Sequence, residues 1–154
     1  MVIWVRQTHS LNDALPNYLA HNITKVRNKA FTEEDFVVLE NTWGAEYYDK
    51  IIRRLPSELE VTKHTYSAFE DTKLDRYLKA RGIKTLVYIG GLTNGCLGST
   101  AIAGWDKGYY SIIPSDTTAS NDLSLHKAFL KNHSLLFGLV PKSDEIIEIW
   151  RKKK

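Results

Sequence analysis

The sequence lacks most of the features that assign a chain quickly to a class. It has one cysteine and one methionine in 154 residues, and no apolar run approaches the ~18 residues that a membrane span requires. One cysteine can form neither an internal disulfide nor a metal site built from several thiolates. Without these features, and without low-complexity segments, we expect an ordinary globular protein that is soluble and cytoplasmic.

The charge is nearly balanced, with 21 Lys and Arg against 18 Asp and Glu. Part of the excess lies in the basic tail at residues 151–154, which we interpret as a solvated terminus. No basic stripe with interleaved aromatic residues is present, so we expect no nucleic-acid partner. The apolar start is interrupted at Arg6 and is too short for a secretory signal, so we expect no membrane partner either.

Short apolar runs alternate with segments of helical periodicity. We predict strands at residues 2–5, 59–62, 85–89, 109–113 and 139–141, and helices at residues 46–55, 72–81, 96–107, 121–131 and 144–150. Residues 7–35 read as loop and short helix. The alternation predicts an α/β fold with three layers, α/β/α, and a mostly parallel sheet, in one domain of residues 1–154.

Several local signals support these elements. A Thr72-x-x-Asp75 pattern caps the second helix, Gly82 ends it, and Ser143 caps the last helix. The apolar run at residues 85–89 is of the kind that is buried on both faces of a parallel sheet.

The segment most informative about chemistry is the glycine-rich turn that leads to Cys96 at the start of a predicted helix. In open α/β sheets, ligands bind outside the carboxyl ends of the strands, where this turn lies. Free amides and the positive helix end favour a nucleophilic thiolate there and could also receive an oxyanion. The glycines match neither phosphate-binding pattern. A lone cysteine is more often a small buried hydrophobe, so both interpretations stay open on this signal alone.

Lys63 directly follows the strand predicted before this turn. Parallel strands bring their carboxyl ends to one edge of a sheet, so Lys63 and Cys96 can converge. An ammonium group nearby would stabilise the thiolate. Position alone fits a surface lysine equally well.

Three blocks together resemble the isochorismatase-like superfamily, which includes nicotinamidase, N-carbamoylsarcosine amidase, and ureidoacrylate and biuret hydrolases. The blocks are Lys63-x-x-Tyr66-Ser67-x-Phe69, Thr93-Asn94-x-Cys96-x-x-Ser99-Thr100-Ala101, and Gly108 to Asp116 with Ala119, Ser120 and His126. The resemblance implies a Cys–Asp–Lys triad in which Cys96 forms a thioester and Lys63 stabilises the thiolate. It therefore implies a cysteine hydrolase that cleaves a C–N bond of a small amide or ureido compound, without a cofactor, in a homo-oligomer.

The resemblance also assigns the surroundings of the sulfur. It implies a non-proline cis peptide between Gly91 and Leu92, and an oxyanion hole formed by the backbone amides of Leu92 and Cys96. It implies substrate contacts from Tyr66, Phe69, Thr93 and Asn94, although ordinary core packing accounts for Tyr66 and Phe69 equally well. Asp116 and His126 are expected to be structural.

No aspartate of this chain matches the triad position, which the family carries on a strand ahead of the one matching residues 2–7. We therefore expect an N-terminally truncated chain; a sheet closed with five strands, or a partner that supplies the strand, are the other possibilities. The alternative function is an impaired or inactive binding or assembly subunit. His9 lies near a zinc-ligand position of nicotinamidase-like members, but its companions are missing, so we expect no metal. A redox module is disfavoured because there is no Cys-x-x-Cys.

Overall fold

A computed structural model describes residues 1–10, 12, 38–48 and 53–152. The chain divides into two compact units. The first comprises Met1–Thr65 and Glu70–Thr72, and the second comprises Tyr66–Phe69 and Lys73–Lys154. The single domain expected from the sequence stays a prediction.

The first unit is built on two parallel strands, β1 (Ile3–Gln7) and β2 (Leu59–Lys63). The strands predicted at residues 2–5 and 59–62 are confirmed, and both continue to the polar residues at their carboxyl ends. Their register places Gln7 directly beside Lys63. Beyond β1, His9 forms an isolated parallel bridge with Leu39. Backbone hydrogen bonds therefore hold His9 in place after the strand has ended.

The helix predicted at residues 46–55 is wrong wherever the structure describes it, because residues 46–48 and 53–55 are not helical. A local turn replaces it: the Leu55 N–H donates to a carboxylate oxygen of Glu58 at 2.9 Å, and Arg54 donates to the Glu58 carbonyl. A 3-10 turn at Trp43–Ala45 precedes this segment. Residues 49–52, and most of the loop and short helix predicted at residues 7–35, lie outside the described residues.

The second unit alternates helices and short strands. In chain order these are α1 (Leu74–Ala80), β3 (Thr85–Val87), β4 (Gly90–Gly91), α2 (Cys96–Asp106), β5 (Tyr110–Ile112), β6 (Thr118–Ala119), α3 (Leu123–Leu136), β7 (Gly138–Leu139) and α4 (Ser143–Lys152). One parallel sheet has the order β3-β5-β7, and β4 pairs in parallel with β6. The predicted α/β class with a parallel sheet is confirmed, and among the described helices none is long and apolar enough to span a membrane.

The strand predicted at residues 85–89 ends earlier than expected, at Val87. The expected burial on both faces is wrong, because Thr85 is exposed and Ile89 is 69% exposed. The backbone at Gly90 has a φ of +115°, a conformation that favours glycine, and β4 then pairs with β6 instead of extending β3. The continuous apolar run therefore serves as a short strand followed by a turn toward Cys96.

Helix α1 confirms its predicted end and corrects its predicted start. Gly82 has a φ of +63°, its N–H donates to the Lys79 carbonyl, and the Ile83 N–H donates to the Leu78 carbonyl, which is the Schellman arrangement. The predicted Thr72 cap is wrong: the N-cap position is Lys73, without a side-chain cap. The carboxylate that would complete a capping box, Asp75, binds Tyr109 and Lys79 instead.

The core of the second unit lies beneath α2. One cluster of buried residues there comprises Leu97, Ala101, Ile113 and Leu130, with Tyr88, Phe129 and Val140 packed against them. Helix α3 begins where Asp122 accepts the N–H groups of Ser124 and Leu125, and it continues five residues beyond the predicted end. This packing fixes the helix whose first residue is Cys96.

Candidate active site

The sulfur-bearing residue stands where the sequence predicted it. Cys96 is the first residue of α2, follows Gly95, and is partly exposed. The peptide bond between Gly91 and Leu92 is cis, as the resemblance implied. The Leu92 carbonyl accepts the N–H groups of Gly95 at 3.0 Å and Leu97 at 3.2 Å. Hydrogen bonds within the turn therefore close it, and Cys96 lies at the N-terminus of the helix that follows.

Gly98 explains how the first turn of α2 lies so close to its surroundings. A Cβ atom at Gly98 would lie 2.6 Å from the Thr93 carbonyl oxygen and 2.6 Å from a ring carbon of Phe129. These distances are far inside van der Waals contact, and the Thr93 oxygen belongs to the backbone. Glycine two residues after Cys96 is therefore needed for this packing.

Thr93 and Asn94 lie in the same turn, and their polar side chains form hydrogen bonds with other side chains of the second unit. Thr93 is fully buried, its N–H donates to the Ala119 carbonyl at 2.8 Å, and its hydroxyl lies 2.9 Å from Nδ1 of His126. Asn94 is exposed, and its Oδ1 accepts the Ser120 hydroxyl. His126 therefore fixes the rotamer of Thr93. The substrate contacts predicted for Thr93 and Asn94 stay predictions.

Thr100 joins the segment carrying Tyr66 and Phe69 to the turn of Cys96. Its buried hydroxyl donates to the Cys96 carbonyl at 2.7 Å and accepts the Ala68 N–H at 3.0 Å. Tyr66 is 36% exposed, whereas Phe69 is only 8% exposed and stacks on Tyr109 with ring centroids 5.8 Å apart. Within this unit, the structure thus brings the Tyr66 backbone beside the first turn of α2.

Lys63, the last residue of β2, is 4% exposed, which excludes the surface-lysine interpretation. Its Nζ donates to Oε1 of Gln7 at 2.6 Å and to the Thr65 carbonyl at 2.7 Å. Lysine is among the residues least often buried, and buried lysines are held by acceptors such as these. Lys63 belongs to the first unit and Cys96 to the second, so their convergence stays a prediction.

Gln7 is the residue at this site that the sequence interpretation missed. Its Oε1 holds Lys63, and its Nε2 lies 2.6 Å from Nε2 of His9, which is buried. Two signals were available in the sequence. Residues 7 and 9 share one side of an extended chain, and parallel pairing of the two predicted strands places their carboxyl ends side by side.

No group of three or more His, Cys, Asp or Glu side chains able to hold a metal ion occurs in the part of the chain that the structure describes. The side-chain group that lies against Nε2 of His9 is the amide of Gln7, which is a poor zinc ligand. The expectations of no metal and no cofactor stay predictions.

A family model described as the isochorismatase domain matches residues 1–145. The chain belongs to the isochorismatase family. It is 32% identical over 126 residues to the ureidoacrylate amidohydrolase RutB of Methylobacterium radiotolerans, which covers 81% of this chain and 48% of that protein. It is 34% identical over 112 residues to nicotinamidase 3 of Arabidopsis thaliana, which covers 71% of this chain and 56% of that protein.

Solved structures agree with the family assignment. The crystal structure of an isochorismatase-like hydrolase from Alkaliphilus metalliredigens matches with a TM-score of 0.78 and 30% identity, covering 96% of this chain and 72% of that one. The chain spans about half the length of the curated relatives described above.

Proposed function

We propose that this chain carries the nucleophile of a cysteine hydrolase that cleaves a C–N bond of a small amide or ureido compound. The observation that carries the proposal is the placement of Cys96: partly exposed, at the first position of α2, after a closed glycine-rich turn. Helix N-termini favour a thiolate, which is the nucleophilic form of cysteine.

In the proposed reaction, the Cys96 thiolate attacks the carbonyl carbon of the substrate and forms a C–S bond. The carbonyl oxygen becomes an oxyanion that accepts the backbone N–H groups of Leu92 and Cys96. The C–N bond then breaks, and the nitrogen takes up the proton that the thiol lost on ionisation and leaves as ammonia. Water hydrolyses the thioester, which restores the thiol and releases the acid.

Lys63 is proposed as the cation that stabilises the thiolate. Its burial and its two short hydrogen bonds hold the ammonium in one place, and a desolvated cation interacts more strongly with an anion than an exposed one does. Tyr66, Phe69, Thr93 and Asn94 are proposed to contact the substrate, with Tyr66 and Asn94 the more exposed of the four.

The names of the relatives support the substrate class. One is a ureidoacrylate amidohydrolase and another a nicotinamidase, so both names denote hydrolysis of an amide or ureide. We propose that this chain acts on such a small molecule, without a cofactor, in the cytoplasm and as a homo-oligomer.

The test is ammonia release from a panel of ureido compounds and aromatic amides, followed by intact-mass measurement of the protein. We expect a covalent adduct of the acyl group on the wild-type chain and none on Cys96→Ala, with turnover falling by about 10³-fold or more. The exposed substitution Lys79→Met serves as the matched control. Full turnover by Cys96→Ala would disprove the thioester route.

A second candidate function is ligand binding without turnover. It is favoured by the absence of an aspartate in this chain that matches the family's triad position, because that residue supplies the proton transfer in such sites. This function predicts that the same compounds raise the melting temperature without releasing ammonia, and that Cys96→Ser leaves the rise unchanged.

A further inference from the structure

A line of polar side chains, with buried Lys63 and His9 at its ends and half-buried Gln7 between them, crosses the carboxyl ends of β1 and β2. Nζ of Lys63 lies 2.6 Å from Oε1 of Gln7, and Nε2 of Gln7 lies 2.6 Å from Nε2 of His9. Lys63 is 4% and His9 is 3% exposed. All three residues belong to the first unit.

The chemistry of the groups fixes the direction of each hydrogen bond. A lysine ammonium has three donors and no acceptor, so the amide atom facing Lys63 must be the oxygen of Gln7. The NH₂ group of Gln7 therefore faces His9 and donates. Nε2 of His9 must then accept, which places the ring proton of a neutral His9 on Nδ1.

The backbone holds both ends of this line in place. The register of the parallel strands sets Gln7 beside Lys63, and the Thr8 N–H donates to the Lys63 carbonyl at 3.0 Å. His9 is held through its own peptide, because its N–H donates to the Val38 carbonyl and its carbonyl accepts the N–H of Glu40. A single rotamer of Gln7 thus joins two anchored residues.

We propose that Gln7 is a positioning residue for Lys63, and that His9 selects the orientation of the Gln7 amide that presents its oxygen to the ammonium. The kinetic part of this inference rests on the proposed function, because it assumes that Lys63 acts on the nucleophile. A reversed amide would set its NH₂ group against the ammonium and lose that hydrogen bond. The orientation of the Gln7 amide therefore determines whether the Lys63 ammonium has the Gln7 oxygen as an acceptor.

The first test is nuclear magnetic resonance of the isotopically labelled full chain. We expect the ¹⁵N shifts of His9 to show a proton on Nδ1, and the Lys63 ammonium to give a slowly exchanging ¹H–¹⁵N signal. In Gln7→Met that signal should broaden through faster exchange, because the ammonium loses one of its acceptors. In Gln7→Glu it should persist, because a carboxylate still accepts from Lys63, while the proton of His9 should appear on Nε2 to face the new acceptor. Thr62→Val, an exposed site on β2, is the matched control.

The second test is kinetic. With a substrate that the wild-type chain hydrolyses, Gln7→Met should lower kcat by about 10- to 100-fold, with KM within about threefold. Gln7→Glu should recover most of kcat, which a merely structural role would not predict. Thermal melts of both variants report whether the fold is intact.

The outcomes separate the two proposals. If the wild-type chain shows no turnover but the Lys63 signal depends on Gln7 as stated, the proposed function fails and the positioning role stands. A His9 proton on Nε2 in the wild-type chain, or a Lys63 signal unchanged in folded Gln7→Met, overturns the positioning role. Wild-type kcat in Gln7→Met overturns its kinetic part.

Discussion

The backbone N–H of Ala68 donates to the hydroxyl of Thr100 over 3.0 Å. The same hydroxyl donates its own proton to the Cys96 carbonyl at 2.7 Å, one helical turn earlier. One buried oxygen thereby ties the segment that carries Tyr66 to the first turn of α2. The Thr100 side chain therefore links the segment of Tyr66 to Cys96.

Thr100→Val should remove the link between the Tyr66 segment and the first turn of α2 while keeping the shape of the side chain. The Ala68 N–H would lose its acceptor in a buried site, so we expect the free energy of unfolding to fall by about 1–3 kcal/mol. Turnover should fall as well, because the Tyr66 segment would no longer be fixed beside Cys96. Urea unfolding and steady-state kinetics measure the two effects.

Thr100→Ser keeps the hydroxyl and provides the control. It should retain the hydrogen bonds and lose mainly the packing of a methyl group. Equal stability of the Ser and Val variants would show that the hydroxyl contributes nothing at this position.

Substitution of the buried lysine should change the reactivity of the sulfur. If Lys63 stabilises the thiolate, Lys63→Met should slow alkylation of Cys96 by iodoacetamide at neutral pH by at least about tenfold. Mass spectrometry of the alkylated peptide measures the rate. Lys79→Met, at an exposed lysine paired with Asp75, should alkylate at the wild-type rate, and equal rates in all three chains would place Lys63 away from the sulfur.

Glycine substitutions should distinguish crowding from backbone conformation. Gly98→Ala places a methyl group 2.6 Å from the Thr93 carbonyl oxygen, so we expect a loss of about 1–3 kcal/mol from overpacking together with reduced turnover. Gly82→Ala meets open space but a φ of +63°, so it should cost about 1 kcal/mol and leave kinetics unchanged. Chemical denaturation ranks the two, and wild-type turnover by Gly98→Ala would contradict the tight packing of the Cys96 turn.

Acid should weaken the second unit through His133. The His133 side chain is fully buried, and its Nε2 lies 3.1 Å from the hydroxyl oxygen of Ser111. Burial lowers the pKa of His133 below its ordinary value of 6.5, although a hydrogen bond with the backbone of Ser111 opposes the shift. The unfolded chain then binds the proton more readily than the folded one, so the stability is fully present above pH 6.5 and is lost as the pH falls from there through the folded pKa.

The measurement is urea unfolding of wild type and His133→Gln between pH 7.5 and pH 5. The variant lacks the titrating ring, so its free energy of unfolding should vary less with pH over this range. An equally steep decline in both chains would assign the effect to other groups.

The turn around Cys96 was predictable because its signals are local. Glycines, a helix start and the cysteine follow one another within a few residues, and the cis bond between Gly91 and Leu92 came with the family resemblance. The end of α1 was predictable for the same reason, since Gly82 encodes its own left-handed turn. The strands β1 and β2 were predictable from two short apolar runs, whereas their pairing was not predicted.

The errors arose where side chains form hydrogen bonds with partners that the order of residues along the chain does not reveal. The predicted helix at residues 46–55 was lost where the Glu58 carboxylate takes the Leu55 N–H. The expected cap of α1 was lost because Tyr109 and Lys79 hold the Asp75 carboxylate. Gln7 was overlooked because its importance depends on the register between two strands separated by about fifty residues.

The last helix shows a further consequence of such distant contacts. The carboxylate of Asp116 accepts both the backbone N–H of Ser143, at 2.9 Å, and its hydroxyl, at 2.7 Å, at the point where α4 begins. The sequence predicted Ser143 as the cap of this helix, whereas the structure has Ser143 as its first residue, with its N–H donating to a carboxylate from the loop after β5. Amide exchange in the first turn of α4 and in that loop should therefore rise and fall together, so that this turn opens only when the loop opens.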